Sequence, residues 1–129
     1  MHERAQSPTT TVLIVDDQPQ ILQLLQDFLN DCGFQVLVAQ SGSQAEQVAA
    51  NHADAIHLLI TDIEMPDGDG LTLAQSLKTQ RPDLAIIYMS GGLKTLPQSP
   101  VEFIAGSVCL EKPVTFDALR SAISTLLRS

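Results

Sequence analysis

Short apolar runs alternate with amphipathic stretches along most of the chain. The runs end in polar, glycine or proline residues, a pattern typical of the buried strands of a parallel sheet. The intervening stretches carry apolar residues three and four positions apart, as helices with one buried face do. Five runs have the strand pattern, at 12–15, 34–39, 58–62, 84–89 and 108–110. We therefore predict an α/β fold in which helices cover both faces of a five-stranded parallel sheet.

Proline, glycine and capping residues mark the ends of the first two predicted helices. Pro19 is expected to open the first helix and Gly33 to end it. The second helix is expected to begin at Ser43–Glu46, which has the form of a capping box. The apolar positions predicted to form the buried face of the first helix are Ile21, Leu24, Leu25 and Phe28.

The later helices are predicted in the same way. Asp69 and Gly70 lead into the third helix, and Thr115 can cap the last one. The predicted inward residues are Leu71, Ala74 and Leu77 in the third helix, and Phe116, Leu119, Ile123 and Leu126 in the last. Between the fourth and fifth strands, residues 93–106 should hold another helix, but Pro97 and Pro100 interrupt it. We expect this fourth helix to be short or irregular.

Length and charge restrict the functional classes. The chain has 129 residues, 44% of them hydrophobic, and a formal net charge of −8. This acidity argues against direct contact with nucleic acid or anionic membranes, and it suits metal cations. We expect residues 1–10 to be a disordered tail and residues 11–129 to form one domain. No apolar run is long enough for membrane insertion, so we expect a cytoplasmic protein.

Cysteine and histidine residues are not expected to take part in the chemistry. Cys32 and Cys109 lie far apart and lack the spacing of a zinc site, so we predict reduced, buried thiols. His52 and His57 fall at a helix end and in a turn, where we expect surface residues. Tyr88, inside the fourth strand, is expected to pack in the core.

Polar residues follow four of the predicted strands. Asp16-Asp17 follow the first strand, and Asp62, Ser90 and Lys112 follow the third, fourth and fifth. The carboxyl ends of parallel strands lie along one edge, so these side chains should meet there. Carboxylate oxygens without thiol or imidazole ligands favour Mg²⁺ over zinc. With an ammonium and a hydroxyl nearby, the cluster is suited to holding a phosphoryl group on one carboxylate.

These residues resemble the motifs of the receiver domains of two-component response regulators, a flavodoxin-like (CheY-like) family. The resemblance covers about Thr11 to Arg128. Its matching segments are Val15-Asp16-Asp17, Asp62-x-x-Met65-Pro66-x-x-x-Gly70, Met89-Ser90-Gly91 and Lys112-Pro113. The resemblance implies a three-layer α/β/α architecture with the strand order 2-1-3-4-5. It also implies a cis peptide bond before Pro113.

The resemblance also implies a role for each site residue. Asp62 corresponds to the phosphoacceptor, Lys112 to the family's lysine and Ser90 to its switch hydroxyl. The implied ligands of Mg²⁺, or alternatively of Mn²⁺, are the side chains of Asp16, Asp17 and Asp62 and the backbone carbonyl of Glu64. The implied partners are a sensor histidine kinase or histidine phosphotransfer protein and a downstream protein target. Such a domain is a switch and not an enzyme acting on other substrates.

The sequence departs from the family pattern at two places. Cys109 stands three residues before Lys112, where many receivers have an aromatic residue that reports the switch. The irregular segment 93–106 corresponds to the fourth-helix region, which forms much of the output face in relatives. We therefore hypothesise that output relies more on the last helix or on the first helix.

Two alternatives remain open. A degenerate receiver could serve only for protein binding, but the intact acidic, hydroxyl and lysine residues speak against it. A phosphohydrolase of the haloacid-dehalogenase type also uses an aspartate at a strand end. That family expects a second aspartate where this sequence has Glu64, and a cap insertion that does not fit here. The chain ends soon after the last predicted helix, so we expect either a free-standing regulator or relay protein, or a receiver domain of a larger protein.

Overall fold

The central feature is a parallel sheet of five strands. The computed structural model describes residues 9–65, 68–91 and 103–127. The sheet strands are β1 (Thr11–Val15), β2 (Gln35–Ala39), β3 (Leu58–Asp62), β6 (Ala85–Ser90) and β7 (Val108–Glu111). A short antiparallel pair, β4 (Glu64–Met65) and β5 (Gly68–Asp69), follows β3. The helices of the described residues are α1 (Pro19–Asp31), α2 (Gly42–Asn51), α3 (Gly70–Gln80) and α4 (Phe116–Leu127).

The strand order confirms the predicted topology. The order is β2-β1-β3-β6-β7, and every neighbouring pair is parallel. Counted over the five long strands, this is the order 2-1-3-4-5. The chain moves from β1 toward one edge of the sheet and from β3 toward the other. Ligands of open α/β sheets bind at such a switch point, beyond the carboxyl ends of the two strands.

Two apolar layers pack on the two faces of the sheet. Strands β1 and β3 alternate between them: Leu13 and Leu59 face α2 and α3, whereas Ile14 and Ile60 face α1 and α4. These four side chains have no exposed surface. The predicted three-layer α/β/α architecture is therefore confirmed. Tyr88 is also fully buried, as predicted.

The buried face of α1 differs from the prediction. Its buried residues are Leu22, Leu25 and Leu29, whereas Leu24 is 56% exposed. The apolar residues of α1 cover a wide arc, and the core contacts the centre of that arc. The end of the helix is as predicted, because Gly33 follows it with a φ of 95°.

The cap of α2 lies two residues upstream of the predicted one. Helix α2 begins at Gly42, and the Ser41 hydroxyl accepts a hydrogen bond from the Gln44 amide at 3.1 Å. The Gln44 side chain in turn accepts from the Gln40 amide. Ser41 is therefore the cap of α2, with the Gln44 side chain bonded to the residue before the cap, and the prediction of Ser43 as the cap was wrong.

The other helix starts agree with the prediction. The Asp69 carboxylate accepts from the Thr72 amide at 2.7 Å, and the Thr115 hydroxyl accepts from the Ala118 amide at 3.0 Å. Of the predicted irregular helix, residues 93–102 lie outside the described residues. Most of the predicted tail, residues 1–8, lies outside them as well. None of the helices in the described part of the chain has the length and apolar character of a membrane span.

The two cysteines and two histidines correct the sequence-based expectations. Cys32 and Cys109 are free thiols, but both are exposed, because Cys32 follows the last turn of α1 and Cys109 lies in the edge strand β7. His52 and His57 are half-buried and not surface residues. His57 Nδ1 accepts a hydrogen bond from the Thr11 amide at 2.9 Å, which ties the turn before β3 to β1.

Candidate functional site

Three carboxylates meet at the switch point, as the sequence predicts. Asp16 and Asp17 directly follow β1, and Asp62 is the last residue of β3. One oxygen from each lies within 4.8 Å of the others. Asp16 is fully buried and Asp62 is 6% exposed, whereas Asp17 faces solvent. The cluster therefore has two inner carboxylates and one outer carboxylate.

Lys112 joins the two inner carboxylates. Its Nζ lies 2.9 Å from Asp62 Oδ2 and 3.1 Å from Asp16 Oδ2. Its backbone amide donates to the Ser90 carbonyl at 2.7 Å, which attaches the loop after β7 to the end of β6. The peptide bond from Lys112 to Pro113 is cis, as the resemblance implied.

The second oxygen of each inner carboxylate is held by the local backbone. Asp16 Oδ1 accepts from the Gln18 amide at 2.9 Å, and Asp62 Oδ1 accepts from the Glu64 amide at 3.3 Å. In both cases the donor lies two residues downstream, which is the arrangement of an Asx turn. The turn after β1 therefore orients the Asp16 carboxylate, and the turn after β3 orients the Asp62 carboxylate.

Burial and neighbouring charge act on the two central groups. Burial raises the pKa of Asp62, the hydrogen bond and charge of Lys112 lower it, and the charge of Asp16 raises it again, so that the pKa lies above its usual value. Burial alone would lower the pKa of Lys112, but its bonds and attraction to Asp62 and Asp16 outweigh burial and raise it. Lys112 thus stays a cation, while the site carries an excess of negative charge.

The remaining predicted site residues lie at the same edge. Ser90 is the last residue of β6 and is 2% exposed. Strand pairing places Ser90 beside Glu111, the residue before Lys112. Glu64 has an exposed side chain, and its amide contacts the Asp62 carboxylate. The structure therefore brings every predicted site residue to one end of the sheet.

Sequence reasoning missed Thr61 and gave Gly70 no role beyond the start of a helix. Thr61 is fully buried, and its hydroxyl donates to the Asp62 carbonyl at 3.0 Å. Gly70 approaches the same carbonyl so closely that an added Cβ would overlap its oxygen. The available signal was a polar residue in an otherwise apolar strand, directly before the central acid.

A family model bears on the interpretations that the sequence left open. The model of the response regulator receiver domain matches residues 12–124. The chain belongs to this family. The match favours a receiver over a hydrolase of the haloacid-dehalogenase type, and it agrees with the acid and lysine geometry described above.

Individual relatives agree with the family. Sensor protein EvgS of Escherichia coli K12 is 34% identical over an alignment of 129 positions, which covers 95% of this chain and 10% of EvgS. The autoinducer 1 sensor kinase/phosphatase LuxN of Vibrio campbellii is 36% identical over 123 residues, covering 95% of this chain and 14% of LuxN. The chain thus spans only a small part of these sensor proteins.

Solved receiver structures have the same fold. Response regulator protein TrrA from Thermotoga maritima, in complex with Mg²⁺-BeF, superposes with a TM-score of 0.79 at 28% identity. The superposition covers 92% of this chain and 100% of the TrrA chain. The chain is thus similar to a solved response regulator as well as to parts of two sensor proteins.

Proposed function

We propose that residues 11–129 form a receiver domain in which Asp62 accepts a phosphoryl group and thereby switches a partner or output domain. The observation that carries this proposal is the contact of 2.9 Å between the nearly buried Asp62 carboxylate and Lys112, beside two further acids. A carboxylate in this position is a nucleophile with a fixed cation next to it.

The acidic residues suit a divalent cation. We assign Mg²⁺, with Mn²⁺ as the alternative, to the carboxylates of Asp16, Asp17 and Asp62 and the backbone carbonyl of Glu64. The donors are all oxygen atoms, and Lys112, whose ammonium is the one seen at the cluster within the described residues, contacts only Asp16 and Asp62. The ion would supply charge neutralisation at the phosphoryl oxygens. The complex of TrrA with Mg²⁺-BeF supports this assignment by analogy.

Asp62, Lys112 and Ser90 have separate roles in the proposed phosphoryl transfer. A carboxylate oxygen of Asp62 attacks the phosphorus atom, a new O–P bond forms, and the P–N bond to the donor's phosphohistidine breaks. Lys112 Nζ then releases Asp62 Oδ2 and binds a phosphoryl oxygen. The product adds about −1.5 to −2 charges to the pocket. Ser90, buried at the end of β6, is the hydroxyl proposed to move toward the phosphoryl group.

The proposed phosphodonor is a sensor histidine kinase or a histidine phosphotransfer protein. An apolar groove beside the site supports a protein donor over a small molecule alone. It has a volume of about 390 Å³, runs between α1 and the start of α4, and includes Leu24, Phe116 and Lys112 in its walls. Leu24 and Phe116 are 56% and 43% exposed. We also propose a cytoplasmic location and no turnover beyond loss of the domain's own phosphate.

The proposal is tested by intact mass after incubation with acetyl phosphate and Mg²⁺. We expect one phosphoryl adduct per chain, no adduct on Asp62→Asn, and no adduct in EDTA. Asp83→Asn is the matched control, because it removes an exposed carboxylate that precedes β6, at the end of the sheet opposite the cluster. This variant should label normally. If the wild-type chain forms no adduct and also fails to bind beryllofluoride, the proposal is wrong, and a phosphate-independent binding module takes its place.

A further inference from the structure

Thr61 is a buried polar residue that directly precedes the proposed phosphoacceptor. Its side chain has no exposed surface, and its hydroxyl donates to the carbonyl oxygen of Asp62 at 3.0 Å. The remaining residues of β3 before Asp62 are apolar. A buried hydroxyl needs a hydrogen-bond partner, and here the partner belongs to the peptide group that carries the reacting side chain.

The sheet holds the Asp62 peptide on one side only. Pairing between β3 and β6 continues to Asp62 and Met89, and the Ile63 amide then donates to the Met89 carbonyl at 2.9 Å. Pairing between β1 and β3 ends one residue earlier, at Val15 and Thr61. The Asp62 carbonyl therefore lies beyond the last β1–β3 pair, where the Thr61 hydroxyl provides its donor.

Gly70, the first residue of α3, packs directly against the Asp62 carbonyl. Its amide donates to the Ile63 carbonyl at 2.7 Å. A Cβ added to Gly70 would overlap the Asp62 carbonyl oxygen and would approach Thr61 Oγ1 to 3.0 Å. The Asp62 carbonyl is thus enclosed between the Thr61 hydroxyl and the start of α3, with no space for it to shift toward the helix.

We propose that Thr61 is a positioning residue: its hydroxyl fixes the Asp62 peptide group and, through it, the direction of the carboxylate. This inference rests on the proposed function, because it assigns Thr61 a part in phosphorylation of Asp62. The physical reason is that the Asp62 side chain is attached to this peptide group and moves with it. A small rotation of the peptide moves the carboxylate away from Lys112, and reaction rates are sensitive to displacements of about 1 Å.

The test compares the rate constant of adduct formation between variants of Thr61. Thr61→Val keeps the shape of the side chain and removes the hydroxyl, whereas Thr61→Ser keeps the hydroxyl. Thr79→Val is the matched control, since the exposed Thr79 hydroxyl also donates to a backbone carbonyl, that of Gln75 at 2.9 Å, but on the outer part of α3. Intact mass is followed over time at saturating Mg²⁺ and several acetyl phosphate concentrations.

We expect Thr61→Val to lower the maximal rate constant about tenfold and to leave the half-saturating acetyl phosphate concentration within about twofold. The final yield should stay at one adduct per chain. Thr61→Ser and Thr79→Val should stay within about twofold of the wild-type rate constant. A role in stability alone would lower the labelled fraction through unfolding and would leave the rate constant of the folded chains unchanged.

Two outcomes overturn the inference and leave the proposed function intact. They are a wild-type rate constant in Thr61→Val, and a loss in Thr61→Ser as large as that in Thr61→Val. If circular dichroism shows that Thr61→Val does not fold, Thr61→Cys takes its place, because a thiol is a weak donor of similar size. Its rate constant should then lie below that of Thr61→Ser. If the wild-type chain itself forms no adduct and does not bind beryllofluoride, the proposed function and this inference are both wrong.

Discussion

The two ends of the sheet use polar groups in opposite ways. At the amino end, charged or polar donors meet neutral acceptors. The Arg81 guanidinium donates to the carbonyls of Ala49, His52 and Asp54 at 2.9–3.0 Å, which joins the end of α3 to the end of α2 and to the turn before β3. His57 exchanges hydrogen bonds with Thr11, through Nδ1 and through its amide, at 2.9 Å each.

At the carboxyl end, like charges are crowded together. Asp16 and Asp62 share one ammonium, that of Lys112, and Asp17 adds a further acid. Burial is the largest reason that the pKa of Asp62 is raised, and the charge of Asp16 adds to it. An ionised Asp62 therefore costs stability at neutral pH.

Stability and chemistry are therefore separated along the strand direction. The amino end contributes hydrogen bonds that hold elements distant in sequence together. The carboxyl end gives up stability to keep an ionised nucleophile beside a cation. Substitutions at the two ends should therefore change different observables, and the predictions below test this separation.

The largest effect is expected from Arg81→Met at the amino end. Methionine keeps the aliphatic part of the side chain, so the substitution mainly removes three charge-assisted hydrogen bonds. Their loss should lower the free energy of unfolding by about 2–3 kcal/mol. The rate constant for phosphorylation of Asp62 should stay unchanged below the unfolding transition. Urea unfolding followed by circular dichroism, together with intact mass, measures both quantities.

Arg120→Met is the control for Arg81→Met. Arg120 is 60% exposed, pairs with Asp117 at 3.1 Å and lies over the Phe28 ring, so that its loss should change the free energy of unfolding by less than about 1 kcal/mol. A slower phosphorylation in folded Arg81→Met would show that the two ends are coupled and would contradict the separation.

An effect of opposite sign is expected from Asp62→Asn at the carboxyl end. The folded pKa of Asp62 lies above 3.8, so the folded chain binds more protons than the unfolded chain between pH 3.8 and that pKa. Wild-type stability therefore falls as pH rises through this window, by the sign of proton linkage. The variant lacks this loss and should be more stable than wild type at pH 7 without a divalent cation.

The stability gap between Asp62→Asn and wild type should narrow as pH falls toward 3.8. Urea unfolding in EDTA at several pH values measures it. Asp117→Asn, at a carboxylate that is 96% exposed, is the control and should show no comparable gap. A variant less stable than wild type at pH 7 would mean that Lys112 stabilises the ionised carboxylate by more than burial and Asp16 destabilise it.

The smallest effect concerns the two histidines near the amino end. His52 Nε2 is buried and has no hydrogen-bond partner within the described part of the chain, whereas His57 Nδ1 accepts from Thr11. His52→Leu should therefore gain up to about 1 kcal/mol in the free energy of unfolding, and His57→Leu should lose about 1–2 kcal/mol. Equal losses in both variants, measured by urea unfolding, would show that His52 contributes a bond of its own.

The order of the elements and the location of the chemistry could be predicted from local sequence patterns. Apolar runs and helical spacing are local properties, so they predicted the five strands, the four described helices and the starts of α3 and α4. The acids Asp16 and Asp62 were found because a polar residue at the end of a buried strand is also a local signal. The receiver resemblance added the strand order and the cis bond before Pro113, and both agree with the structure.

Which atoms meet and which surfaces are covered depends on packing between segments that are distant in the sequence. The contacts of Lys112 with Asp62 and Asp16 join residues 50 and 96 positions apart, and no local pattern specifies them. The same holds for the burial of Leu22 in place of Leu24, for the exposed thiols and for the contact of Thr61 with the Asp62 carbonyl. Periodicity defines an apolar arc or a polar strand end, but only packing against distant segments selects the part of it that is buried or bonded.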